Sequence, residues 1–441
     1  MLSIRRLRDI TALLATPVGR RQVALEASLR LWPAVAPLVQ AYRAVAFART
    51  PVVVVVGSQG KSTTVRAVRA ALGLPGHRWV DFNAGTEIAV NLALSPPRRR
   101  AAVLEVGIGG KGQMQGYASR LKPTMVVVTC IGTEHHGSLG SKGEIRAEKA
   151  KMVEALPASG TVFLNADDEH VLWMRSRTAA ECVTFGLSPS AAIRASELRA
   201  EWPEGIAFTL HFEGRKIATR TRFVSVHLVR AFLAAVGVAV RLGEPLPAVL
   251  ERLSAVTPAP RRLEPRRLRN GAWLLRDEYK SSLETIDAAL DVMEAIPGRR
   301  FVVLGEVSEP PGSQGPIYRR LGERIAGFAH AAVFVGGNFD RYRAGARAGG
   351  MSREHLLDAG RSWRVAAEYL KETLREGDVV LVKGRDTQRL DRISLSLLGR
   401  DVQCSLTECP LPDCDRCPLL TGQSQAPRAA SARSRGSSRA D

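Results

Sequence analysis

The 441-residue chain lacks any run of about 18 or more uncharged apolar residues, the length a helix needs to cross a bilayer. Nor is the N-terminus expected to be a secretory leader. The uncharged stretch from Ile10 to Gly19 is interrupted by Thr11, Thr16 and Pro17, and it meets Arg20 and Arg21 where a small-residue cleavage site would be needed. The expected compartment is therefore the cytoplasm. Cysteine is scarce: six in a chain of this length exclude a disulfide scaffold, although four of them crowd between Cys404 and Cys417. Acids are outnumbered, 43 against 63 lysines and arginines, and the formal charge of +20 favours anionic ligands. Aromatics make up only 5% of the chain and interleave no basic stripe, and no nucleic-acid motif is present, so nucleic acid is not an expected partner. No internal repeat of fixed period is found.

At roughly 150 residues per domain the length suits about three units. Residues 1–50 form a basic helical appendage, with eight arginines against two acids and helical apolar spacing at Leu25, Leu29, Trp32, Val35 and Leu38. Pro33 and Pro37 are expected to break it into short helices. Its charge suits a peripheral contact with an anionic membrane or a protein partner. From Pro51 short apolar β runs (VVVVV, AAVLEVG, MVVVTCIG, TVFLNADD) alternate with helical segments, which predicts a mostly parallel α/β domain over 51–257. A second series (AWLLRDEY, FVVLGEV, AAVFVGG, GDVVLVKG) predicts a smaller Rossmann-like α/β domain over 258–403. Residues 404–441 hold the cysteine cluster and a Ser/Ala/Arg/Gly tail too poor in apolar surface to fold alone.

VVVVVGSQGKSTT places Gly57, Ser58, Gly60, Lys61, Ser62 and Thr63 between a buried strand and a helix. In that setting backbone N–H groups and a helix N-terminus cradle phosphate, Lys61 reaches the β/γ-phosphates and the Ser62 hydroxyl binds Mg²⁺. Val55 stands where the full GxxxxGK[ST] pattern has its first glycine.

The segment VLEVGIGGKGQMQGYASRLKPTMVVVTCIGTEHHGSLGSKGEIRAEKAKM, with the phosphate loop before it and LNADD after it, resembles the central domain of the Mur ligase family. The likeness is greatest to the branch that adds D-alanyl-D-alanine (MurF-type). It implies Mg²⁺-binding roles for Glu105 and His135, a carbamylated lysine at Lys149, and a nucleotide-side role for Asn165. Further on, PAPRRLEP implies an ATP-contacting arginine at Arg262, with Arg261 as rival, and LLRDEYKSSLET implies nucleotide contacts from Asp277 and Tyr279. Some positions depart from the pattern. Lys280 and Ser282 stand where that branch has asparagines, Ala231 replaces another after His227, and Tyr318 replaces a histidine.

The resemblance spans about residues 51–403 and implies a ligase that uses ATP and Mg²⁺ to activate a carboxylate as an acyl phosphate for attack by an amine. The carboxylate and amine would be small molecules or peptides, with a cell-wall precursor as one option. The fifty residues before the phosphate loop are too few for the UDP-sugar-binding domain of the peptidoglycan-building members, so the substrate handle is expected to differ. A polyglutamate-type amino-acid ligase and a catalytically reduced nucleotide-binding scaffold are the alternatives. Last, Cys404, Cys409, Cys414 and Cys417 follow a C-x4-C-x4-C-x2-C spacing that suits tetrahedral Zn²⁺, with free thiols in a flexible tail as the plain alternative.

Overall fold

A computed structural model describes residues 14, 17–75, 88, 91, 92, 95, 101–134, 136–406, 409, 413–417 and 419–421. The side chains of Leu25, Leu29 and Trp32, the whole of His135, and the tail 422–441 lie outside the described residues.

The chain enters through helix α1 (Pro17–Ala46), which runs unbroken past Pro33 and Pro37 where two shorter helices are expected. Each proline removes one backbone donor and costs roughly 3 kcal/mol in a helix interior. Docking offsets that cost. Ala36, Val39 and Phe47 are buried, and the Arg43 guanidinium donates to the carbonyls of Leu121 (3.0 Å) and Phe47 (2.6 Å).

Five valines follow as β1 (Val52–Val56), every one fully buried. β-branched residues that are covered on both faces suit a central parallel strand, at roughly 1.5–3 kcal/mol of burial each. Around β1 the first sheet adds β2 (Ala102–Glu105), β3 (Met125–Val128), β4 (Thr161–Asn165), β5 (Glu181–Gly186), β6 (Ile193–Glu201), β7 (Gly205–Phe212) and β8 (Arg215–Thr221). Its order is β2-β1-β3-β4-β5-β6-β7-β8, parallel from β2 to β6 and antiparallel from β6 to β8. The chain reverses direction across β1, and the crevice beyond the carboxyl ends of such strands is where doubly wound sheets bind ligands.

The second sheet contains β9 (Glu264–Arg267), β10 (Trp273–Asp277), β11 (Arg300–Leu304), β12 (Ala331–Phe334), β13 (Leu356–Asp358) and β14 (Val379–Lys383), in the order β13-β12-β11-β14-β10-β9. All pairings are parallel except β10 with β9. β14, last in sequence, lies at the centre between β11 and β10. Among the described residues no helix is long and apolar enough to cross a membrane.

Candidate active site

β1 is followed by Gly57, whose φ is 142°, and a Cβ built there would sit 2.0 Å from the Thr129 Oγ1. No other residue fits this approach of the loop to the end of β3. Gly60, left-handed at φ 78°, then opens helix α2 (Lys61–Ala71) without a side-chain cap. The first N–H groups of α2 thus face the crevice with the positive end of the helix dipole, the arrangement that binds phosphate. The Thr63 hydroxyl is buried without a hydrogen-bond partner beside them. Lys61 folds back on the loop, its Nζ donating to the carbonyls of Gly57 and Ser58 at 3.0 Å each.

The crevice is a cavity of about 260 Å³ between the two sheets. The first domain contributes Ser58, Gly60, Lys61, Ser62, Thr63, Glu105 and Asn165 to its wall; the second contributes Arg262, Asp277, Tyr279 and Lys280. Glu105 closes β2, directly beside Val55 in register, and Ser62 Oγ donates to its Oε2 at 2.6 Å. A hydroxyl and a carboxylate so placed are hard oxygen donors that fit Mg²⁺, which keeps waters and phosphate oxygens for its other positions. Asn165, at the end of β4, donates to the Thr129 carbonyl (2.8 Å) and receives the Asp167 N–H, which fixes the loop after β3.

Lys149 lies on helix α3 (Lys142–Glu154), which starts in a capping box between Ser141 and Glu144. On this helix Glu148 pairs with Lys151 at 2.7 Å, whereas Lys149 turns inward and is only 2% exposed. Burial, and then the charge of Lys61, push its amine down from 10.5 to about 7, so half of it is neutral at neutral pH. His135, the other expected metal-side residue, falls outside the described residues.

Of the two rival arginines, Arg262 lines the cavity, its guanidinium 3.9 Å above the Tyr279 ring, while Arg261 is buried behind it against Asp391 at 3.6 Å. Asp277 is gripped by Lys383 (2.6 Å) and accepts the Leu263 N–H (3.1 Å); burial lifts its carboxyl to about 6 despite that lysine. Tyr318 sits in the core, edge-on to Tyr342 and accepting the Val307 N–H, and is not among the residues that line the cavity.

Sequence reading missed the contacts that hold the two domains together. Glu284, in the first turn of helix α4 (Leu283–Ala295), accepts from the N–H and hydroxyl of Thr133 (2.9 and 3.1 Å) and from Gln59 (3.2 Å). Gln59 also donates to Ser282 at 3.0 Å, and Lys280 pairs with Glu134. Thr129, Cys130, Phe185 and Arg230 likewise line the cavity. The first two sit just beyond a parallel strand and could have been found by the strand-end rule alone.

The expected zinc site is not assembled. Among the described residues no three His, Cys, Asp or Glu side chains are grouped so as to hold a metal ion. Cys414 packs with Leu395, Val402 and Leu420, and burial pushes its thiol up to about 12.

Comparison with known proteins gives these features relatives. Residues 55–239 match the Mur ligase middle domain, and residues 261–385 match the "Mur ligase, glutamate ligase domain". The UDP-N-acetylmuramoyl-tripeptide–D-alanyl-D-alanine ligase of Synechocystis sp. is 30% identical over 366 residues, 80% of this chain and 75% of the relative. A crystal structure of MurF from Acinetobacter baumannii superposes with a TM-score of 0.74 at 21% identity, over 84% of this chain and 81% of that one. MurF ligase from Thermotoga maritima, crystallised with ADP, gives a TM-score of 0.69 at 18% identity, over 83% of each chain.

Proposed function

The chain belongs to the Mur ligase family and is an ATP-dependent ligase, and from that premise we propose that it joins a peptide carboxylate to an amine through an acyl phosphate formed in the interdomain cavity. In this reading a carboxylate oxygen attacks the γ-phosphorus of ATP and ADP leaves. The amine then attacks the acyl carbon, loses a proton, and inorganic phosphate departs. The observation that carries the reading is the convergence of the uncapped phosphate loop and the Ser62–Glu105 pair on one cavity, which Arg262 and Tyr279 face from the second domain, with buried Lys149 within reach of the Lys61 charge.

The chain's own residues share the work. Main-chain N–H groups of the loop and of α2 orient the phosphates, with Lys61 exchanging its two loop carbonyls for phosphate oxygens. Ser62 and Glu105 would hold Mg²⁺, which neutralises charge on the triphosphate and on the developing acyl phosphate. Lys149 is read as the carbamylated lysine. Its neutral amine attacks CO₂, a proton is lost, and an anionic carbamate results. The surroundings support this: burial and Lys61 disfavour the ammonium, and the same Lys61 charge favours an anion. Zinc has no part in the reading, and the cysteine segment serves as packing.

The substrates are read from the relatives, as a UDP-N-acetylmuramoyl peptide or a comparable peptide carboxylate with D-alanyl-D-alanine or a comparable amine. Helix α1 is read as an anchor to anionic lipid. Leu31, Leu38 and Val45, 57%, 70% and 83% exposed and spaced one heptad apart, make an apolar stripe on a helix that also exposes Arg20 and Arg30. The test of the ligase reading is ADP release from ATP with UDP-N-acetylmuramoyl tripeptide and D-alanyl-D-alanine, supplied together and singly. Release that needs both carboxylate and amine supports it, whereas release indifferent to them refutes it.

A further inference from the structure

The turn that carries Arg262 is strained. Its two flanking residues, Arg261 (φ 60°) and Leu263 (φ 52°), are non-glycine residues in the left-handed region. Such residues are strained and persist only where their surroundings over-determine them. Three carboxylates do so. Glu264 accepts the Arg261 N–H (3.0 Å), Asp277 accepts the Leu263 N–H (3.1 Å), and Asp391 faces the Arg261 guanidinium (3.6 Å).

These supports are tied in turn to the cysteine-rich segment, which lies beyond the part of the chain that matches the ligase domains. Asp391, on the helix α5 (Asp391–Leu397), accepts the Cys414 N–H at 3.2 Å. Asp415 receives a two-pronged grip from Arg276, Nη1 at 3.2 Å and Nη2 at 3.1 Å, while Arg276 Nε donates to Glu278 at 2.8 Å. Arg276 and Glu278 flank Asp277 in sequence, and Arg276 lies on β10 with it, where alternate side chains take opposite faces. Arg389 and Arg392 extend the seam by donating to the carbonyls of Cys409 and Leu406, at 2.5 Å each. Arg276 and Asp391 are 2% and 1% exposed and the Asp415 side chain is 28% exposed, so solvent screens the Arg276–Asp415 pair only in part.

We propose that the cysteine-rich segment is a brace for the nucleotide site, with Asp415 the positioning residue that holds Arg276, and through it the strained Arg262 turn and Asp277, in the geometry that meets ATP. None of the segment's described residues lines the cavity. This rests on the assignment of Arg262 to the nucleotide, and the experiment separates the two claims.

The measurement is the affinity of the full-length protein for ADP and for a non-hydrolysable ATP analogue, by calorimetry, in wild type, Asp415→Ala, Arg262→Ala and the double variant, with melting temperature recorded for each. Arg262→Ala is expected to weaken binding about tenfold, Asp415→Ala by a similar factor, and the double variant no further than Arg262→Ala, because Asp415 acts through the arginine. Asp415→Glu should recover most of the affinity. If Asp415→Ala does not fold, Asp415→Asn keeps the shape and removes the charge. Additive losses, or a lowered melting temperature with unchanged nucleotide affinity, overturn the brace. Unchanged affinity in Arg262→Ala overturns the assignment beneath it.

Discussion

Buried Lys149 offers a quantitative test of the carbamate. Its amine is lowered from 10.5 to about 7. The reactive form is the free amine, which makes up roughly a tenth of the side chain at pH 6, half at pH 7 and nine-tenths at pH 8. At fixed dissolved CO₂ the initial rate of carbamate formation should therefore rise about tenfold between pH 6 and pH 8 and then level off. An exposed lysine with an ordinary acidity would rise about a hundredfold over the same range and keep rising. The sign for stability follows from the same shift. The unfolded chain binds the extra proton between pH 7 and 10.5, so folding is favoured as pH rises through that window and the contribution is lost as pH falls toward 7. The assay is carbon-13 NMR of protein given labelled bicarbonate, with Lys149→Ala as the blank. That variant should bind ATP nearly normally yet form acyl phosphate about a hundredfold more slowly, as when a preorganised charge is removed, and short-chain carboxylates should restore part of the rate. A rate still climbing tenfold per pH unit at pH 9, or the same signal in Lys149→Ala, would refute the reasoning.

Gly57→Ala should abolish nucleotide binding or folding outright, because its Cβ would meet the Thr129 Oγ1 at 2.0 Å in a backbone that L-residues rarely adopt; nucleotide calorimetry and thermal melting check this. Glu284→Ala removes three hydrogen bonds across the domains, from Thr133 N–H, Thr133 hydroxyl and Gln59. At about 2 kcal/mol in this half-buried setting, the ratio of closed to open molecules should fall roughly thirtyfold, seen as a larger radius by small-angle scattering without loss of melting temperature in either domain. Replacing Leu31, Leu38 and Val45 together with serine should weaken binding to anionic vesicles while leaving ADP affinity intact. Equal vesicle binding would assign the stripe to a protein partner or to none.

The parts that could be read in the sequence are those fixed by local pattern. Five consecutive valines followed by two spaced glycines, lysine and serine can be read as strand, loop and helix because both faces of the strand must be covered and the loop must turn tightly. The antiparallel strands β6 to β8 escaped notice. Charges such as Arg194, Glu197 and Arg199 on β6, and Arg215, Lys216 and Arg220 on β8, blur the alternation at the exposed end of the sheet. The continuity of α1 escaped because proline's local cost is offset by docking at Arg43 and Phe47, which no propensity records. At the site, single residues were visible and their partners were not. Glu284 reads as an ordinary first-turn acid, and only the fold brings it to Gln59, 225 positions away. The choice between Arg261 and Arg262 likewise depends on which one finds Asp391.

The central place of β14 has a consequence for how the chain is made. Translation delivers β9 to β13 first, yet β10 and β11 are joined only through β14, which spans residues 379–383. Until that strand has left the ribosome the second sheet exists as two unconnected pieces, and Asp277 waits for its counter-charge on Lys383. Pairings of such long sequence separation form late and expose apolar edges in the meantime. A nascent or prematurely terminated chain can thus complete the phosphate loop on its first sheet while having no second wall to close on ATP, so that nucleotide capture reports that synthesis is all but finished.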